Sequence, residues 1–177
     1  MTTAPRMRQL FDPASSTYTY LLLAGDAPGC DAALIDPVAG QAGRDLAAVR
    51  DCGAVLRYVL ETHVHADHVT SAGLLRERTG CRVGTPEGCG VAASDIQLTD
   101  GLWLPLGDAQ GIRVIHTPGH TPGSSCYLWN GHLFTGDTLL IGGCGRTDFQ
   151  GGSAELLYDS VMRKLGLPLS KCFRRGI

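Results

Sequence analysis

An α/β domain built from short elements is what this sequence predicts. Apolar, β-branched runs alternate with segments of helical spacing along most of the chain. Glycine supplies 24 of the 177 residues, about twice its usual share, which favours many tight turns over a helical bundle. The predicted strands also end repeatedly in loops carrying histidine or aspartate, so the sheet serves as a rigid support for whatever those loops hold. At this length one sizeable core is expected and two ordinary domains are not. The domain is placed at residues 1–168, with 169–177 as an unmatched basic tail.

In order, a short polar start gives way to a strand over Thr17–Leu23. Gly25–Gly29 then turns the chain into a returning strand over Ala32–Ile35, and Asp36-Pro37 closes this hairpin. Arg44–Asp51 has helical spacing, with Leu46 and Val49 on it and Gly53 placed to stop it. Val55–Leu60 reads as a buried strand. Ser71–Thr79 makes a second helix, ended by Gly80, and Cys81–Val83 a short strand; the stretch from there to Asp100 carries little pattern. Strands follow at Leu102–Leu104 and Ile112–Ile115. Two more, Ser125–Trp129 and His132–Phe134, flank Asn130-Gly131, a strong signal for a tight hairpin. Ser153 caps a last helix, with Leu157, Val161, Lys164 and Leu165 on one face and Gly166 and Pro168 as its stop.

Composition excludes several function classes. The formal net charge is −2 and no basic stripe occurs, so no nucleic-acid partner is expected and a small, weakly anionic metabolite fits better. The seven cysteines are odd in number and lack CxxC spacing, which suits a reduced chain in the cytoplasm. Met1–Leu10 holds arginines but no apolar core, and no run approaches the ~20 apolar residues of a membrane span. No membrane association and no secretion are expected.

The most informative stretch is Thr62-His63-Val64-His65-Ala66-Asp67-His68, directly after the predicted strand Val55–Leu60. Side chains alternate in an extended segment, so His63 and His65 can face one side, while Asp67 and His68 follow as the chain turns. Imidazole and carboxylate suit zinc, iron or manganese. A solitary histidine would read as a local hydrogen-bonding group; this cluster reads as a metal site. Downstream, Ile112–Ile115 runs into His116-Thr117-Pro118-Gly119-His120, where prolines and glycines fix the loop that carries His120. The hairpin around Asn130-Gly131 delivers Thr135-Gly136-Asp137, with Thr135 placed to hydrogen-bond near Asp137. His116 and His132 are read as structural.

These residues, in this order and each just after a predicted strand, resemble the metallo-β-lactamase superfamily, and the resemblance runs from about Met7 to about Leu167. Three further pieces are similar to its persulfide dioxygenase group, that of the ethylmalonic encephalopathy protein. They are Arg8–Pro13, His65–His68 followed by Gly73-Leu74-Leu75-Arg76, and Gly143–Gln150. The resemblance implies an αββα sandwich of two sheets with helices outside. It implies one non-haem Fe(II) per chain, with zinc as the alternative, held by His63, His120 and Asp137 as a facial triad with open positions. His65, Asp67 and His68 would then orient the ligands from outside the coordination sphere, or bind metal themselves in a dinuclear hydrolase. The implied reaction is oxidation of glutathione persulfide by O₂ to sulfite with release of glutathione.

Arg146 is a candidate to hold a glutathione carboxylate with its planar fork, or else pairs with Asp148. Cys144 is either a redox-sensitive thiol near the metal or a small packed residue. Relatives of this kind continue beyond the last helix and present another histidine there. This sequence has no histidine after His132, so it reads as a C-terminally truncated domain with exposed apolar sheet surface and an open edge strand. Pairing as a homodimer is left open. The two competing readings are a thioester hydrolase resembling hydroxyacylglutathione hydrolase and an inactive fragment.

Overall fold

The computed structural model describes residues 5–108 and 110–166. Among these residues ten strands form two sheets. The first has the order β1-β2-β3-β4-β5-β6: β1 (Arg6–Asp12), β2 (Thr17–Leu23), β3 (Asp31–Ile35), β4 (Val55–Leu60), β5 (Arg82–Pro86) and β6 (Ile96–Leu98). The second has the order β10-β9-β8-β7: β7 (Trp103–Pro105), β8 (Gly111–His116), β9 (Ser125–Trp129) and β10 (His132–Phe134). β1, β2 and β3 pair antiparallel, whereas β3, β4, β5 and β6 run parallel; the second sheet is antiparallel throughout.

Alternation along β2 and β3 divides their side chains between two cores. Leu22, Ala33 and Ile35 meet Leu104, Ile112, Val114, Tyr127, Trp129 and Phe134 of the second sheet. Leu21, Leu23, Ala32 and Leu34 face the other way, where Val49 of α1 (Ala42–Asp51) and Ala72 and Leu75 of α2 (Ala72–Thr79) cover them. Strands buried on both faces explain the unbroken apolar runs at these positions. On the second sheet Trp103, Arg113 and Leu128 lie in register across β7, β8 and β9 and are exposed, as is Phe11 on the edge strand β1. Among the described residues no helix is long and apolar enough to cross a membrane.

Three departures from the sequence reading have physical causes. The polar start is strand β1, paired with β2 from Arg6↔Leu23 to Asp12↔Thr17. It is an edge strand whose backbone pairs while most of its side chains, other than Leu10 and Asp12, face solvent, so no apolar pattern marks it. The weakly patterned stretch contains the end of β5 and all of β6. There a Cβ on Gly84 would stand 2.9 Å from a Leu60 methyl and 3.0 Å from a Leu98 methyl, so its small size serves a close sheet contact. The last helix is α3 (Ala154–Tyr158), capped by the Ser153 hydroxyl accepting from Leu156 N–H, and it continues as a π-helical turn over Asp159–Lys164. Gly53 and Gly80 end α1 and α2 with φ of +61° and +72°. Asn130 and Gly131 form the β9–β10 turn, both with positive φ. Pro168 and the basic tail lie outside the described residues.

Candidate metal centre

β3 and β4 are parallel neighbours, so the loops leaving their carboxyl ends start side by side. The first carries Asp36, the second Glu61 to His68. The two sheets are tied together at this end: Ser125 N–H donates to the Thr62 carbonyl at 2.9 Å, and the buried Tyr127 hydroxyl donates to the Glu61 carbonyl. The loops after β8 and β10 bring His120 and Asp137 to the same place, and they are joined by the buried Thr117 and Thr138 hydroxyls, 2.9 Å apart.

The metal-binding atoms of His63, His120 and Asp137 lie within 4.8 Å of one another. His63 and His120 are almost fully buried, their rings nearly perpendicular with centroids 4.8 Å apart. His120 Nε2 is 3.4 Å from Asp137 Oδ2. The tautomers follow from the hydrogen bonds. The Thr62 hydroxyl has one proton and donates it to Asp36 Oδ2 at 2.8 Å, so at 2.9 Å it accepts from His63 Nδ1–H. His120 Nδ1–H donates to the Arg146 carbonyl at 2.8 Å. Each ring is therefore left with Nε2 as its lone-pair nitrogen, the arrangement in which an imidazole binds a metal. Burial pushes the His63 pKa down to about 3, with the charge on nearby His65 adding to the effect, so the ring stays neutral as a ligand must. Burial pushes Asp137 up, against the pull of His120. Two imidazoles with Nδ1 hydrogen-bonded and a carboxylate fit a divalent metal.

Close approach holds this geometry in place. A Cβ on Gly145 would stand 2.5 Å from the Asp137 carbonyl and 2.7 Å from His120 Nδ1. On Gly119 (φ +139°) it would meet the Leu157 backbone at 2.3 Å, and on Gly136 (φ +47°) the Thr62 hydroxyl at 2.4 Å. Thr135 closes the turn before Asp137, its hydroxyl donating to the Leu139 carbonyl at 2.8 Å.

His65 lies beside the triad, its ring centroid 4.1 Å from that of His63, yet it faces elsewhere. Its Nε2 is 3.1 Å from Asp36 Oδ1 and 3.3 Å from Glu61 Oε2. The first contact is a hydrogen bond; the second is an ionic contact too poorly aligned to count as one. Burial opposes a charged His65, but the charge and hydrogen bond of Asp36, with Glu61 behind them, carry its pKa up to about 10. Burial likewise works to raise Asp36, and His65 and His63 nonetheless hold it below its ordinary value, while burial pushes Glu61 up. His65, Asp67 and His68 form a second group within 4.8 Å, and Asp36, Glu61 and His65 a third. The Thr17 hydroxyl donates to Asp67 Oδ2 at 3.2 Å, and His68 Nδ1 also lies 3.2 Å from that carboxylate, leaving His68 Nε2 buried without a hydrogen-bond partner.

Arg146 has its fork filled by Asp148, at 2.7 and 2.9 Å, with the guanidinium over the Phe149 ring; the pairing left open by the sequence is the arrangement present. Its backbone carbonyl is what serves His120. Cys144 is exposed and lines an apolar groove of about 370 Å³ with Leu139, Leu157, Tyr158 and Met162, next to Gly145 and so to the triad. His116 and His132 bond to the Pro122 and Asn130 carbonyls and enter none of the three groups. Asp36, Glu61, Thr70 and Gly145 went unrecognised as parts of the site. Position was the available signal: Asp36 and Glu61 each follow a predicted strand, as the ligands do.

Comparison with known proteins agrees with this geometry. The chain is 47% identical over 162 residues to the mitochondrial persulfide dioxygenase ETHE1 of Bos taurus, covering 90% of this chain and 62% of that protein. The crystal structure of ETHE1 from Myxococcus xanthus superposes with a TM-score of 0.86 at 48% identity, covering 92% of this chain and 71% of that one. A hydroxyacylglutathione hydrolase of Halorhodospira halophila is 37% identical over 168 residues, 95% of this chain and 62% of that enzyme. The chain thus spans about three fifths of the length of these curated relatives. The sequence profile of the metallo-beta-lactamase superfamily matches residues 14–176, and with two sheets whose strand ends gather three ligand groups in one place, the chain belongs to that superfamily.

Proposed function

We propose that this chain carries the metal centre of a persulfide dioxygenase that oxidises glutathione persulfide with O₂ to sulfite and glutathione. The observation that carries the reading is the triad itself: His63, His120 and Asp137 within 4.8 Å, both imidazoles with Nδ1 committed to hydrogen bonds. Identity of 44–47% to persulfide dioxygenases of Bos taurus and Mus musculus supports it. A single Fe(II) bound there supplies redox chemistry and open positions for both O₂ and a sulfur atom. The protein's part is to orient the ligands. Thr62 and the Arg146 carbonyl fix the two imidazole planes, Asp137 contributes the negative charge, and the groove beside Cys144 presents apolar surface to a substrate next to the triad. The hydrolase reading would require His65, Asp67 and His68 to bind metal as well, and the lower identity to the hydroxyacylglutathione hydrolase, 37% against 47% to the persulfide dioxygenase, favours the dioxygenase.

The test is oxygen uptake by the 177-residue chain, loaded anaerobically with Fe(II), on addition of glutathione persulfide. Uptake with sulfite formation, abolished in His120→Ala, is the expected result. Turnover of S-lactoylglutathione without oxygen, and none of the persulfide, would replace this reading with the hydrolase.

A further inference from the structure

A second cleft opens at the strand ends, separate from the groove beside Cys144. It has a volume of about 240 Å³ and is lined by Val64, Gly88, Cys89, Thr121, Pro122 and Gln150. Val64 stands between His63 and His65, and Thr121 directly follows His120, so two of its walls are the loops that carry the metal-binding imidazoles. A third wall, Gly88-Cys89, leaves the carboxyl end of β5, the parallel neighbour of β4. Crevices outside the carboxyl ends of parallel strands are where open α/β sheets take ligands. Close contact fixes the floor: a Cβ on Gly123 would stand 2.6 Å from Cys89 Sγ and 2.7 Å from the Cys89 backbone nitrogen. The Cys89 sulfur is hydrogen-bonded to the Val64 backbone, and burial pushes the thiol up to about 11. None of the six lining residues therefore carries charge at neutral pH.

The last wall is Gln150, in a turn that suits it poorly. Gly152 N–H donates to the Phe149 carbonyl at 2.9 Å, and the two central residues, Gln150 and Gly151, have φ of +49° and +72°. Glycine, asparagine and aspartate are the residues that fill such turns, so a glutamine is kept there at a cost. Ser153 N–H donates to the Gly119 carbonyl at 2.8 Å, which fixes this turn against the loop of His120. Among the described residues none hydrogen-bonds the Gln150 amide. That amide offers two N–H donors and one acceptor, a set that complements another amide.

We propose that this cleft is the subsite for the peptide portion of the thiol substrate, with the Gln150 side chain pairing to a peptide amide of a glutathione-type ligand. A whole-ligand pocket begins near ~300 Å³, so the cleft suits part of a tripeptide whose sulfur reaches the triad. The proposal rests on the glutathione persulfide reading for its choice of thiol. Gln150 then determines specificity, for peptide thiols over single amino-acid thiols, and takes no part in the chemistry.

The experiment titrates S-methylglutathione, which keeps the peptide and lacks the thiol, into the 177-residue chain loaded with diamagnetic Zn(II), followed by ¹H–¹⁵N NMR. Gln150→Gly removes the amide and accepts the positive φ, so it is expected to unfold at the wild-type midpoint or above it. The Gln150 side-chain resonance, assigned by its absence from the variant, is expected to shift, and the variant to bind about tenfold more weakly. S-methylcysteine is expected to distinguish the two chains by less than about twofold. Equal affinity of both chains for S-methylglutathione, no binding by wild type, or an equal loss for S-methylcysteine would overturn the proposal. A clearly less stable Gln150→Gly chain would mark the glutamine as structural and overturn it as well. Persulfide oxidation with a stationary Gln150 resonance would remove the subsite alone; a shifting resonance in a chain that oxidises no persulfide would keep the subsite and remove the dioxygenase.

Discussion

Two of the three loops that supply the triad are built on different principles. The loop after β4 is held by side chains: Asp36 grips Thr62, Thr62 grips His63, and Thr70 and Tyr127 grip Glu61. The segment from Gly136 to Arg146 is held by backbone and by lack of bulk. There Gly145 N–H donates to the Asp137 carbonyl at 2.7 Å, His120 leans on the carbonyl of Arg146, and Gly136 and Gly145 sit where a methyl group has no room. A side-chain lattice can lose one member and relax, whereas a backbone contact at van der Waals limit cannot yield without moving the ligand. The first loop should therefore degrade by degrees and the second abruptly.

The largest effect expected from this contrast is that of Gly145→Ala. The new methyl would displace Asp137, His120 or both, and metal affinity should fall on the order of 100-fold, the upper end of what changes outside the coordination sphere cost. Competition against a chelator of known affinity measures it; a change under about threefold would show that the second loop has slack after all.

Thr62→Val should cost less. It removes the hydroxyl between Asp36 and His63 and leaves His63 Nδ1–H without its acceptor, for a loss of about tenfold in affinity. Stability should fall by about 1–3 kcal/mol, since a buried donor goes unpaired; chemical denaturation of the metal-free chain reads that term on its own.

Arg146→Ala should do least to the centre, because His120 uses the carbonyl of residue 146 and not its side chain. Loss of the solvent-exposed pair with Asp148 is expected to change stability by under about 1 kcal/mol and to leave metal affinity unaltered. A tenfold fall in affinity would mean that the Arg146–Asp148 pair shapes the loop.

Asp12 offers a control whose carboxylate bonds to neither loop. Hydrogen bonds from the Ser15 and Gln41 side chains hold its pKa at about 2, below the ordinary 3.8. A depressed carboxyl pKa contributes stability that is fully present above the unfolded value and is lost as pH falls through the folded one. Unfolding midpoints should thus drop between about pH 4 and pH 2 in wild type and drop less steeply in Asp12→Asn, with metal affinity at neutral pH the same in both.

Much of this molecule was legible because pattern and chemistry coincide. Val55–Leu60 ends where His63 begins, Asn130-Gly131 marks a turn of one geometry, and Gly53 and Gly80 stop helices where they must. β1 escaped detection because an edge strand pairs through its backbone and exposes side chains that carry no period. The end of β5 escaped because Gly84 answers to Leu60 and Leu98, distant in sequence.

The candidate ligand types were legible in the sequence alone: histidines and aspartates placed directly after predicted strands that run the same way can gather at one end of the fold. Which nitrogen of each histidine is engaged was not, because Asp36 and Glu61, from neighbouring strand ends, reach Thr62 behind His63 and Nε2 of His65. A pattern along the chain shows which side chains share a face. Only the tertiary structure shows which buried carboxyl group stands opposite each of them, and in a buried site that partner decides whether a nitrogen keeps its lone pair for a metal or is engaged elsewhere.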